Sequence, residues 1–466
     1  MEINQKIFKA YDIRGVYPSD IDEEKMVLII KVIYKVFTEQ TGRENLSVVL
    51  GRDMRLSSPS LHDIAKKTLV DLGAQVIDIG LSTTPTVYFA TLYYKYDAGI
   101  QISASHNPKE YNGLKIVRRD GNKIIKIGKN TGMARIKELV VSKKFTETKP
   151  AGKILTKTNI VKDEVDFAFN LVQPRAIKKL KIVADTANSM GSLYLEEIFK
   201  RTPCELIKMN FDLDGTFPVH QADPLQSKTL IDLQKRVIIE KADFGIATDG
   251  DADRIFYIDE KGRVIQPTLI TSLITRELLS KFSGEKIIID IRYQRNATKV
   301  AHDLGGSTSI SPVGHALITE QLNRENGIFA GESSGHYFFR DNGGAESPIR
   351  VIIHILDLLS KTNKLISELV SELTTSYESG ETNYILPETV DVKELLNEFA
   401  SEYHDGQISW LDGIAIDYPD WRFNIRTSNT EPLLRLNIEG LNKELVMGKL
   451  GKIKDKILST GAKVKE

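Results

Sequence analysis

The sequence predicts an α/β fold: three related mixed α/β domains plus a smaller C-terminal α+β domain, arranged around a central cleft. Short apolar, β-rich runs alternate with helical runs three times along the chain. An acidic residue followed closely by Gly-Ile recurs once in each of those units. The final segment breaks the pattern, with two strands flanking a polar loop and then a Lys-rich helix.

The first unit opens with the apolar stretch 26–37, interrupted by Lys31 and Lys35. Its spacing predicts an amphipathic helix, and it is too short and too charged to span a bilayer. Residues 46–50 form a strand that ends at Gly51-Arg52-Asp53. Ser58 and Pro59 read as N-cap and first helical residue of a helix running to about Gly73. Residues 74–79 are the next strand. The theme returns at 181–184 with a helix after Ser192, and at 286–290 with a helix ending near Gly305-Gly306. Strands alternating with helices predict mostly parallel pairing.

The Gly-Ile signatures are Asp97-Ala98-Gly99-Ile100, Asp243-Phe244-Gly245-Ile246 and Glu325-Asn326-Gly327-Ile328. Each is expected to open a strand that runs into a polar loop. The loops are 103–108, 249–254 and 331–336. Open α/β sheets bind ligands at the carboxyl ends of their strands. In the last segment, strands at 421–425 and 433–438 flank a fourth loop at 426–432, and a helix follows from Lys443. These signals place domains at 1–149, 150–250, 251–367 and 368–466.

The chain has 466 residues, with 41% hydrophobic and 27% charged content, the profile of a soluble globular protein. Lys+Arg and Asp+Glu are both 63, which argues against a general nucleic-acid binder. Cys204 is the single cysteine, so no intrachain disulfide forms. With no apolar signal segment at the start, a cytoplasmic location is expected. No membrane partner is expected, and the assembly state is expected to be a monomer or weak homo-oligomer.

The chemistry lies in the loops. Asp249, Asp251 and Asp253 alternate with small residues and are followed by Arg254. Three hard oxygen ligands suit Mg²⁺, and a guanidinium beside them suits a phosphate. A calcium loop would use the same spacing through Glu260, but its sixth position should be Gly and is Arg254. Ser103-Ala-Ser105-His106-Asn107-Pro108 offers a hydroxyl in a tight turn. A metal and an arginine can neutralise a phosphoserine of about −1.5 to −2 charge. Glu332, Ser334 and His336 sit among glycines in the third loop. The fourth loop combines Arg426, Ser428, Asn429 and Thr430, a donor set for a phosphate dianion.

Together, in order and over nearly the whole chain, these motifs resemble the α-D-phosphohexomutase superfamily. The opening Lys9-Ala-Tyr-Asp-Ile-Arg14-Gly15 and Tyr111-Asn-Gly-Leu-Lys115 match as well. Asn429 and the opening motif resemble the phosphomannomutase/phosphoglucomutase branch. The resemblance implies that Ser105 carries the transferred phosphate and joins Asp249, Asp251 and Asp253 in holding Mg²⁺. It implies that Arg254, Arg14 and Lys115 support the transferring phosphate. Glu332 and Ser334 would hold sugar hydroxyls, with His336 and Arg292 beside them. Arg426, Ser428, Asn429 and Thr430 would hold the distal phosphate.

The implied reaction interconverts hexose 1-phosphate and 6-phosphate through a hexose 1,6-bisphosphate, which also serves as activator. The partners are then phosphorylated hexoses. His106, Lys115 and His315 are the acid–base candidates, with Arg292 a further one from the third domain. Pro312 stands where some relatives carry Lys, and Ser333 where many carry Met. The alternatives are a phosphoglucosamine mutase, a Mg²⁺-dependent sugar phosphatase and a non-catalytic sugar-phosphate sensor.

Overall fold

One strand order recurs three times. In a computed structural model describing residues 3–143, 152–428 and 433–465, each of the first three units has a four-strand motif. Its strands are Ser47–Arg52, Gln75–Leu81, Ala98–Ile102 and Tyr111–Asp120 in the first unit. They are Lys181–Asp185, Glu205–Met209, Phe244–Thr248 and Ile255–Asp259 in the second. The third uses Lys286–Asp290, Ser307–Ser311, Phe329–Glu332 and His336–Phe339.

In every unit the first strand pairs in parallel with the second and the third. The third then pairs antiparallel with the fourth. The sheets are therefore mixed, where the sequence predicted mostly parallel pairing. Each third strand is buried along its length, which apolar runs such as Ala-Gly-Ile-Gln-Ile permit. The chain reverses after it, and all three polar loops lie at that reversal.

Local signals explain most element ends. Helix Glu23–Thr41 buries Met26, Ile29, Ile30, Ile33 and Phe37 along one stripe. The Asp22 carboxylate caps its start by accepting from the Lys25 N–H at 2.8 Å. Helix Ser58–Asp71 starts one residue before the expected place, because Ser57 is its N-cap. The Ser58 hydroxyl turns inward instead and donates to Asp53 at 2.5 Å. In the third unit, Gly327-Ile328 precedes the strand, which begins at Phe329.

The structure moves the domain limits. The division at 250 falls between the paired strands Phe244–Thr248 and Ile255–Asp259, and that sheet continues through Val264–Ile265. The division at 149 lies outside the described residues. Strand Lys153–Thr156, beyond it, still pairs with Gln75–Leu81 of the first sheet. Helix Ile366–Ser371 straddles the division at 367, and Ile366 and Leu369 pack into the core of the second and third units.

The C-terminal unit is a sheet ordered Gln407–Ser409, Ile414–Asp417, Trp421–Thr427, Leu434–Gly440, Thr382–Ile385 and Lys463–Val464. Helices Val392–Glu402 and Lys443–Ser459 bury Phe399, Val446, Ile453 and Ile457 in its core. Two buried charged groups help to dock this unit on the third. Arg422 donates to the carbonyls of Ile291 and Arg292 at 2.7 and 2.8 Å. Glu439 accepts from the N–H groups of Gln294 and Arg295, at 2.9 and 3.1 Å, at the start of helix Arg295–Asp303. A carboxylate there answers both the free donors and the positive end of the helix dipole. No helix among the described residues is long and apolar enough to cross a membrane.

Replacing Glu439 with Ala leaves those half-buried donors unanswered and should cost about 1 kcal/mol. The midpoint of urea unfolding should fall accordingly, and an unchanged midpoint would show that Glu439 does not anchor the unit.

Candidate functional site

The second-unit loop is the meeting point. Asp249, Asp251 and Asp253 are buried, and one oxygen from each lies within 4.8 Å of the others. The tight turn between the strands, with Ala252 left-handed at φ 59°, gathers all three at the reversal. The flanking segments are paired strands, and Glu260 instead binds Ser367, so the calcium-loop reading fails. Burial, with Asp253 and Asp251 beside it, pushes the Asp249 carboxyl upward. Asp251 Oδ1 is buried with no hydrogen-bond partner among the described residues. An all-oxygen set with an unanswered acceptor fits a hard divalent cation.

Ser105 comes to this loop from the first unit. Its hydroxyl donates to Asp249 at 2.9 Å, and its side chain is buried. Its backbone is left-handed, at φ 53°, uncommon for a residue other than glycine. Gly250 lets the two loops touch, since a Cβ there would lie 2.2 Å from the Ser105 carbonyl oxygen. Lys115, on the strand after the serine loop, bridges Asp251 and Asp253 at 2.6 and 2.5 Å. Burial opposes its charge, but the carboxylates outweigh that and raise its pKa. Arg14 is held by Asp12 at 2.7 Å and donates to Asn107 of the serine loop at 2.5 Å.

His106 and Arg254 form a pair. Arg254 Nη1 donates to His106 Nδ1 at 2.6 Å, and the Ser105 hydroxyl is 3.3 Å from the same nitrogen. Burial, then Arg254, Arg14 and Lys115, lower the His106 pKa far below the usual range, so the ring is neutral. His315 is neutral for the same reasons, with Lys126 at 3.1 Å from its Nδ1. Lys126 in turn is ion-paired with buried Glu346.

The third-unit loop closes the ring. His336 places Nε2 3.2 Å from Asp253 and Nδ1 2.8 Å from Glu332. Burial opposes its charge, but Asp253 and Glu332 overcome this and raise its pKa to about 9. Ser334 bonds the same ring at 3.0 Å. Glu332 also accepts from Gly314 N–H at 3.1 Å and lies 3.4 Å from Arg292. Arg292 is fastened to Asp290 at 2.9 Å. As a guanidinium it cannot exchange a proton near neutral pH, so its candidacy as acid or base fails. The Ser333 hydroxyl also donates to Asp290, at 2.7 Å.

The fourth loop is described in part. Arg426 is buried and donates to Glu381 at 2.8 Å, and Arg435 lies 3.3 Å from the same carboxylate. Ser428 continues the strand edge, its N–H bonded to the Leu433 carbonyl at 2.8 Å. Asn429 and Thr430 lie outside the described residues. Cys204 is half-buried with its thiol toward the Lys178 carbonyl, a packing role.

Four family descriptions match this chain in succession. They are phosphoglucomutase/phosphomannomutase alpha/beta/alpha domain I at 5–143, domain II at 161–262, domain III at 267–377 and the C-terminal domain at 382–454. The chain belongs to the phosphoglucomutase/phosphomannomutase family. Within that family, it is 37% identical over 441 residues to a phosphomannomutase of Vibrio cholerae, covering 93% of this chain and 94% of the relative. It is 36% identical over 442 residues to a phosphomannomutase of Escherichia coli, with the same coverage. A phosphoglucomutase/phosphomannomutase family protein of Burkholderia thailandensis has the same fold, with a TM-score of 0.87 at 29% identity. That match covers 99% of this chain and 100% of the other.

Several residues of the site escaped the sequence reading: Thr84 and Gln221, which bond Asp251 and the His106 carbonyl, and Asp290, Glu346, Glu381 and Arg55. Only Arg55 carried a signal, as part of the charged run after the first strand. In the metal-free protein the His336 ring should stay protonated through neutral pH and titrate near 9. A proton held more tightly when folded stabilises the fold below the unfolded histidine value of about 6.5. That contribution is lost as pH rises through the folded value. Imidazole ¹⁵N NMR should show both the late titration and its shift to lower pH in Asp253→Asn.

Proposed function

We propose that this protein is a phosphohexomutase, interconverting hexose 1-phosphate and hexose 6-phosphate with mannose or glucose as the sugar. The observation that carries the reading is the Ser105 hydroxyl, 2.9 Å from a buried aspartate triad with an unanswered oxygen. The phosphomannomutase names of the relatives support mannose as one substrate.

In the reaction, the phosphorylated Ser105 gives its phosphoryl group to the free hydroxyl of the sugar phosphate. The Ser105 Oγ–P bond breaks, a bond from phosphorus to the sugar oxygen forms, and the hydroxyl loses its proton. The hexose 1,6-bisphosphate then turns over, and its other phosphate returns to Ser105. The same bisphosphate, added as activator, phosphorylates an unmodified Ser105. Such transfers depend on positioning and charge neutralisation.

Asp249, Asp251, Asp253 and the Ser105 oxygen would hold Mg²⁺. When bound, Mg²⁺ supplies positive charge beside the serine oxygen and draws off carboxylate charge now facing Lys115 and His336. Arg254, Arg14 and Lys115 are the cations that would neutralise the transferring group. The proton that leaves the sugar hydroxyl needs a neutral acceptor, as His106 and His315 are, whereas the ring held charged between Asp253 and Glu332, that of His336, can only donate. Glu332 and Ser334 orient that ring and face the sugar. Arg426, Ser428, Asn429 and Thr430 receive the distal phosphate, with Arg292 nearby. The substrate class and the single half-buried cysteine support a cytoplasmic location, and a monomer or weak homo-oligomer suffices for this one-chain site.

Phosphorus NMR of the Mg²⁺-loaded protein tests the function. Mannose 1-phosphate or glucose 1-phosphate, with a trace of hexose 1,6-bisphosphate, should give the 6-phosphate. Turnover of glucosamine phosphate alone would make it a phosphoglucosamine mutase, and free phosphate alone would make it a phosphatase. Ser105→Ala should lose turnover by at least about 10³-fold, the scale set by loss of a covalent nucleophile. Sugar-phosphate binding should persist in calorimetry. Full activity in this variant would end the phosphoserine reading.

A further inference from the structure

The serine loop contains no regular structure between strands Ala98–Ile102 and Tyr111–Asp120, yet it must hold Ser105 in a left-handed conformation. Arg55, fifty residues earlier, answers that need. Its side chain is 0% exposed. All five guanidinium N–H groups are used. Nε donates to Asp53 at 3.2 Å. Nη1 donates to the carbonyls of Pro108 and Tyr111 at 2.7 and 3.0 Å. Nη2 donates to the carbonyls of Ser105 and Asn107 at 2.7 and 2.6 Å. Three carbonyls of the loop and one at the start of the next strand thus converge on one planar fork.

The fork is itself held. Asp53 accepts from the Arg55 backbone N–H at 3.0 Å, and the Asp53 N–H donates to the Ile102 carbonyl at 3.0 Å, at the loop's entrance. From the second unit, the Phe217 ring lies 5.1 Å from the guanidinium carbon. Arg55 touches none of the three aspartates by hydrogen bond or ion pair among the described residues, so its contacts reach the reacting groups through the loop.

We propose that Arg55 is a positioning residue for Ser105: by gathering the carbonyls of Ser105, Asn107, Pro108 and Tyr111, it fixes the backbone that aims the hydroxyl at Asp249. Lysine carries a similar charge but only three donors from a single point, so it cannot hold four carbonyls in a plane. The inference rests on Ser105 as the phosphoryl carrier.

The test is Arg55→Lys, assayed for mutase kinetics and for the phosphorus NMR signal of phosphoserine 105. We expect kcat to fall about tenfold or more with KM within about twofold, since small misplacements of a reacting atom cost that much. The phosphoserine resonance should move or broaden, and the thermal midpoint should leave the protein folded at the assay temperature. Phe217→Leu removes the covering ring without touching a donor, and should lower kcat in the same direction by a smaller factor. This variant decides the matter should Arg55→Lys fail to fold. Unchanged kcat and an unchanged resonance in a folded variant would overturn the proposal. So would a kcat loss that disappears on cooling the assay. A wild-type protein with turnover but no phosphoserine would instead sink the underlying role of Ser105.

Discussion

Three carboxylates buried side by side dominate this structure. Asp249, Asp251 and Asp253 lie within 4.8 Å of one another, out of water. Such charge is expensive unless cations and donors surround it. The counter-charges come from separate parts of the chain: Lys115 from the first unit, Arg254 from the loop itself and His336 from the third. Ser105 adds a donor. Charge balance therefore brings the ends of three different sheets to one point. The backbone follows, as the Thr84 N–H bonds the Asp251 carbonyl and the Ile255 N–H bonds the Gly335 carbonyl.

The balance also sorts the histidines. His106, His315 and His336 are chemically alike and all sit close to the carboxylates. The two that face Arg254 and Lys126 lose their protons. The one between Asp253 and Glu332 keeps its own. Sequence offers no way to rank them, because the partner of each ring lies on another strand.

Much else was legible. The Gly-Ile signatures marked three buried strands because a strand covered on both faces must be small and apolar, and each runs toward a polar loop. The aspartates were informative by their chemistry, three carboxylates within five residues of a loop that follows a buried strand. The antiparallel fourth strands were less visible. Tyr111–Asp120 carries Lys115, Arg118 and Arg119, and its buried lysine is tolerated only because Asp251 and Asp253 await it. Sheets outlast loops: the limit expected at 250 falls inside the aspartate loop, which joins two hydrogen-bonded neighbours.

Glu381 carries a last consequence. Its carboxylate is placed on Arg426 and Arg435, in the part of the molecule that would receive the substrate's distal phosphate. The guanidinium groups are thus never bare. A phosphate arriving there would replace an anion already present, so affinity would reflect the difference between two anions, not the full attraction of either. The exchange runs equally well in reverse. A carboxylate tethered within reach can take back the arginines as a phosphate departs, which keeps the release of a doubly charged ligand from leaving uncompensated charge behind. For an intermediate that must let go and turn around, a grip that loosens by substitution serves better than one that must be torn open.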